Sequence, residues 1–122
     1  MKGQLQTLGR DGEQKAADYL EQLGWTIVDR NWRCGDGEID IVAYDPSARA
    51  LVVVEVKTRA GLGYGTPLEG ITYAKAKRLR RLAAIYTRTT RRHATRLRVD
   101  GIGVLRTRGE WKISHAQRID EW

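Results

Sequence analysis

Glu38-Ile39-Asp40-Ile41-Val42-Ala43-Tyr44 and, shortly after it, Leu51-Val52-Val53-Val54-Glu55-Val56-Lys57 decide the reading of this chain. Both stretches are rich in β-branched residues, bounded by turn formers and of strand length. Between them lies Asp45-Pro46-Ser47-Ala48-Arg49-Ala50, so the two strands are expected to form a hairpin. With Tyr44 opposite Leu51, Asp40 falls opposite Glu55 and Glu38 opposite Lys57. Alternation then puts Glu38, Asp40, Val42 and Tyr44 on one face, beside Leu51, Val53, Glu55 and Lys57. Directly opposed side chains have Cβ atoms roughly 4.5–5.5 Å apart, where like charges destabilise a sheet. A buried carboxylate is therefore paired, protonated or bound to a metal. Two acids and a lysine on adjacent strands have the make-up of a metal-dependent phosphodiesterase centre.

The rest of the chain is read outward from this hairpin. Residues 11 to 23 are expected to be a helix closed by Gly24. Ala16, Ala17, Leu20 and Leu23 share its apolar face, and Glu13 lies within that stripe. Glu13 is either a first-turn acid favoured by the helix dipole or a carboxylate aimed at the sheet. Trp25 to Trp32 reads as the first strand, joined to the Asp40 strand through the Gly35–Gly37 turn. After Lys57 comes the Gly-rich stretch from Arg59 to Pro67, which lacks a phosphate-loop spacing and reads as a mobile loop beside the hairpin.

A second helix runs from an N-cap at Thr72 to about Arg88, with Leu79, Leu82, Ala83 and Tyr86 as its apolar stripe. Lys75 sits in that stripe one turn in, where it either snorkels past the core or reaches the centre. Leu97 to Leu105 and Glu110 to His115 read as two closing strands. The Glu55 strand is apolar on both faces, as a covered central strand should be. The expected fold is α/β, a single domain over residues 1–122, with a mixed β-sheet flanked by helices in the order α-β-β-β-α-β-β.

Charge narrows the partner. The chain of 122 residues carries a net charge of +7, and no acid occurs between Glu69 and Asp100. That window holds Lys75, Lys77, Arg78, Arg80, Arg81, Arg88, Arg91, Arg92, Arg96 and Arg98. Arg presents a planar fork suited to phosphate, so a nucleic-acid backbone is the expected partner. No apolar run approaches membrane-spanning length, and no signal-peptide segment opens the sequence. The single cysteine, Cys34, excludes an internal disulfide, and His93 and His115 have no second histidine at ligand spacing. A cytoplasmic location follows as an expectation.

Several blocks together carry a resemblance. They are Gly12-Glu13 with Ala16 and Tyr19-Leu20, then Gly24, Asn31-Trp32-Arg33 and Gly37-Glu38-Ile39-Asp40. They continue through Val54-Glu55-Val56-Lys57-Thr58-Arg59, Gly65-Thr66-Pro67 and Lys75. In these the chain resembles the YraN family of predicted endonucleases, within the PD-(D/E)xK nuclease superfamily and related to archaeal Holliday-junction resolvases. Ile39 stands where the superfamily pattern names a proline. The resemblance implies the restriction-endonuclease-like fold and a divalent-metal nuclease site. Asp40 and Glu55 would bind Mg²⁺ or Mn²⁺, with Glu13 completing or supporting the metal shell. Lys57 would assist the reaction at phosphate, Glu38 and Arg59 would support the site, and Glu38 would pair with Lys57 or a nearby arginine. Lys75, Lys77, Arg78, Arg80, Arg81 and Arg88 are the expected nucleic-acid contacts. The expected activity is hydrolysis of DNA phosphodiester bonds, with branched DNA as one candidate substrate. The alternative is a nucleic-acid-binding protein of the same fold that does not cut. RNA and a homodimer are left open.

Overall fold

The computed structural model describes residues 2–61, 63 and 65–121, with side chains from residue 6 onward. Helix α1 (Lys2–Gln22) precedes strands β1 (Thr26–Cys34), β2 (Gly37–Asp45) and β3 (Ala50–Arg59). Helix α2 (Tyr73–Thr90) follows, then β4 (Arg96–Thr107) and β5 (Glu110–Ala116), with short 3-10 turns at Leu68–Gly70 and Ile119–Glu121. The strands form one sheet in the order β1-β2-β3-β4-β5. Of these five strands, β3 and β4 pair in parallel and the other neighbours antiparallel, and α2 makes the crossover that parallel strands require. This is the mixed, helix-flanked sheet of the restriction-endonuclease-like fold.

Helix α1 starts nine residues before the expected boundary. Gln4, Leu5, Gln6 and Leu8 favour a helix, and the glycines behind the expected start do not break it. Gly12 is instead a contact: a Cβ there would overlap Thr58 Oγ1 of β3. Gly24 ends the helix at φ +90°, and the Trp25 N–H donates to Leu20 O at 3.1 Å. Leu23 falls in this closing turn and is exposed, outside the apolar face expected to include it.

The β2–β3 hairpin forms in the expected register, with Tyr44 opposite Leu51. Asp45 Oδ1 accepts the amides of Ser47 and Ala48 across the turn, at 3.1 and 3.3 Å. Val52 and Val54 pack toward α1, while Leu51 and Val53 pack toward α2, so β3 is covered on both faces. The expected alternation of β2 does not hold throughout. Ile39 and Val42 both pack in the α2-side core while Ile41 faces the α1 side, so the side-chain phase slips at Asp40. Asn31, with φ +52°, lies opposite this point in β1.

Helix α2 buries Ala76, Leu79, Leu82, Ala83 and Tyr86. Thr72 caps it by accepting the Lys75 amide at 3.1 Å. Among the described residues, no helix is long and apolar enough to cross a membrane. Leu62 and Tyr64 of the Gly-rich stretch, expected to be a mobile loop, lie outside the described residues.

Candidate functional site

The β2–β3 ladder ends at Ile41 and Val54, and the site begins where it stops. Beyond that pair a side chain takes over from the backbone: Asp40 Oδ2 accepts the Val56 N–H at 2.8 Å. Asp40 also shares a hydrogen bond with Glu55, the residue the register placed opposite it. From α2, Lys75 brings its Nζ to 3.3 Å from Glu55 Oε2. The capped first turn of α2 therefore aims Lys75 at the acids, and the basic residue expected on the nucleic-acid surface is committed to the carboxylate pair.

The electrostatics match this crowding. Burial, then the charge of Asp40, pushes the Glu55 carboxyl up from 4.5 to about 7, against the pull of Lys75. Asp40 is also raised, chiefly by burial, although the Val56 amide and the bond to Glu55 oppose the shift. Glu13 on α1 is raised by burial and by Asp40, and its Oε1 is buried without a hydrogen-bond partner. Three carboxyls are thus held where their negative charge is poorly compensated by the protein.

Among the described residues, no three carboxylate, histidine or cysteine side chains converge closely enough to enclose a metal ion. The convergent set is the Asp40–Glu55 pair, with Glu13 felt electrostatically behind it. A pair suits a hard cation such as Mg²⁺, which is commonly held by one or two carboxylates and keeps waters or phosphate oxygens in its remaining positions. The unpartnered Glu13 oxygen and the raised carboxyls fit an added positive charge.

Lys57 follows Glu55 on β3, half-buried. Its stem lies against Gly70 of the 3-10 turn, where a Cβ would come within 3.0 Å of Lys57 Cε and 2.8 Å of Arg59 Nη2. Gly70 is therefore part of the support of both basic side chains. Glu38 pairs with Arg33 at 3.5 Å, one of the two arrangements expected for it.

The basic window divides. Lys77, Arg78, Arg81 and Arg88 are exposed on α2, but Arg80 donates to Leu97 O at 2.7 Å and approaches Asp120 at 3.8 Å. Arg98, a member of the same acid-free window, is 8% exposed and lies inside the molecule. It binds Asp100 at 2.9 and 3.1 Å and Asp45 at 3.1 Å, and stacks over Trp25 at 5.2 Å. Asp100 also meets His115 Nε2 at 2.8 Å, and His115 Nδ1 meets Tyr19 Oη at 2.9 Å. Sequence reasoning missed this chain of buried polar groups. The available signal was Arg98-x-Asp100, an oppositely charged pair two apart on one strand face.

Residues 12–104 match the profile of Uncharacterised protein family UPF0102, which spans all the carboxylates and lysines of the site. A UPF0102 protein of Clavibacter michiganensis subsp. michiganensis is 53% identical over 104 residues, covering 85% of this chain and 86% of that protein. One from Paenarthrobacter aurescens is 54% identical over 98 residues, covering 80% and 79%. Another, from Arthrobacter sp. strain FB24, is 48% identical over 113 residues, covering 92% and 94%.

Proposed function

The chain belongs to UPF0102, the YraN family, and from that premise and the geometry at Asp40 and Glu55 we propose that it is a metal-dependent endonuclease hydrolysing DNA phosphodiester bonds. One observation carries the reading. Two largely covered carboxyls, Asp40 and Glu55, meet where the hairpin ladder ends, each with its pKa raised, with Lys75 on Glu55 and Lys57 leaving the same strand as Glu55. Phosphate binding alone would not call for a cluster of negative charge, whereas a cation between acid pair and phosphate reconciles the two.

Asp40 and Glu55 would hold Mg²⁺ or Mn²⁺, and Glu13 would add its negative field from α1. A bound divalent ion supplies an activated water and offsets charge on the phosphoryl oxygens. Lys75 fixes the orientation of Glu55 through their contact. Lys57, whose stem passes over Gly70, would place its ammonium against a non-bridging oxygen as negative charge accumulates there. The exposed Lys77, Arg78, Arg81 and Arg88 would hold the flanking backbone.

The test is cleavage of duplex, branched and single-stranded DNA with Mg²⁺ or Mn²⁺. Lys57→Met keeps much of the apolar stem and removes the charge. It should cut the cleavage rate about 10²-fold or more, the scale of one lost electrostatic donor, while binding weakens far less. A parent protein that binds DNA but cuts none of these substrates would establish the non-cleaving alternative. A Lys57→Met protein as fast as the parent would remove Lys57 from the reaction.

A further inference from the structure

One strand over from the acids, the sheet surface forms an apolar groove. Glu55 of β3 is in register with Gly101 of β4, and Lys57 with Gly103. Neither glycine has a side chain to fill the space above it. A Cβ on Gly101 would come within 3.0 Å of Ile71, and one on Gly103 within 3.0 Å of Pro67. The segment around the Leu68–Gly70 turn thus lies down on β4 beside the carboxylate strand. Between this segment, the start of α2 and the last turn of the chain lies a groove of about 310 Å³. Leu68, Ile71, Tyr73, Ala76, Ala116 and Ile119 give it mostly apolar walls, with Glu69 and Thr72 as the polar members.

Tyr73 is the unusual wall. It opens α2, two residues before Lys75, and is 56% exposed, against a general rule that aromatic rings in a small domain are packed. The Lys77 ammonium lies 5.0 Å from the centre of its ring. A mostly apolar slot with an exposed ring, a cation on that ring and Glu55 on the strand paired with β4 has the make-up of a nucleotide site.

We propose that this groove receives one unpaired nucleobase, stacked on Tyr73, with the attached phosphate beside Lys77. The inference rests on the nuclease reading and refines its substrate class. A base inside a duplex is stacked on both faces and cannot enter the groove, so the favoured DNA carries an unpaired nucleotide next to the scissile phosphate, as at a flap, overhang or branch. The volume lies at the lower end of small-molecule pockets, roughly 300–1,000 Å³, which suits a base better than a peptide helix. The Glu69 carboxylate on the groove wall is engaged by the Thr66 N–H and hydroxyl at 3.1 and 2.8 Å, and the Lys77 ammonium over the Tyr73 ring supplies positive charge for a phosphate beside it.

The experiment is a binding measurement in metal-free buffer, independent of cleavage. Its probes are a blunt duplex and a duplex with a three-nucleotide overhang. The overhang carries 2-aminopurine, a fluorescent adenine analogue quenched by stacking. The full chain should quench the overhang probe and bind it more tightly than the blunt duplex. Tyr73→Ala should abolish the quenching and weaken overhang binding about tenfold, within the range for loss of one base–aromatic stack. It should leave blunt-duplex binding unchanged, and Tyr73→Phe should keep both properties. Equal overhang affinity in Tyr73→Ala, or an equal loss on both probes, would overturn the subsite. So would a self-association, seen by sedimentation, that Tyr73→Ala abolishes, because the groove would then hold a second copy. Quenching by a protein that never cleaves would retain the subsite and end the nuclease reading. Cleavage at the same rate with and without Tyr73 would do the reverse.

Discussion

Glu55 keeps its proton up to about pH 7 because it is buried beside Asp40, and that proton has a measurable consequence. For an acid whose folded value is raised, the native state binds more protons than the unfolded chain, so stability falls as pH rises. The contribution is complete below 4.5, is lost between 4.5 and about 7, and stays lost above that. Glu55→Gln keeps a group able to donate to Asp40 and has no charge to acquire. In the presence of a chelator the variant should therefore be more stable than the parent at pH 8, by about 3 kcal/mol, and no more stable at pH 4. Urea unfolding at the two pH values measures this, and identical curves at pH 8 would mean that the acids carry no stored charge. Mn²⁺ should stabilise the parent and not the variant, as ligand linkage requires. Asp40 and Glu55 were legible in sequence because each puts a charge into an apolar strand. Lys75 was legible only as an anomaly in an apolar stripe. Its direction depended on the distance between α2 and β3, which no local pattern encodes.

At the scale of elements, turn chemistry and periodicity located nearly everything. Thr72 caps α2 as its position suggests, and the Tyr44–Leu51 register follows from the hairpin loop. Two features escaped for the same reason: each depends on contact with another element. The phase slip at Asp40 arises where β2 leaves β3, and alternation counted along one strand cannot reveal it. By propensity Gly12 is a weak helix position, yet it is where α1 touches β3. Thr58 is β-branched and stiff, and its Cβ also lies within 2.9 Å of a Cβ built at Gly12. Gly12→Ala should consequently destabilise the protein by about 1–3 kcal/mol, the usual cost of overpacking, despite alanine's better helix propensity. Thr58→Ala in the same chain should recover part of that loss. Chemical denaturation of the two single variants and the double variant gives the coupling, and strictly additive effects would remove the contact from the account.

Across the whole molecule, charge is partitioned in a way that the total of +7 conceals. Arg98 belongs to a buried chain with Asp45, Asp100 and His115, whose acids come from β2 and β4. Its partners lie 53 positions before it and two after it, so a linear window of basic residues counts it wrongly. Arg80 is likewise held by Leu97 O and Asp120. Lys77, Arg81 and Arg88 remain on the exposed side of α2, with Lys77 and Arg81 one helical turn apart. Charge reversal at Arg80 would confuse phosphate binding with the loss of its bond to β4, so Arg81 and Arg88 are the informative pair. If both contact phosphates, the parent's binding constant should fall with salt at about 0.9 log units per contact, and Arg81→Glu with Arg88→Glu should reduce that slope by about two contacts. Affinity should weaken alike for all DNA sequences, because backbone contacts carry no base information. Fluorescence anisotropy over a salt series reads both quantities. An unchanged slope would assign the ridge to solubility and leave DNA to approach the acids from another side.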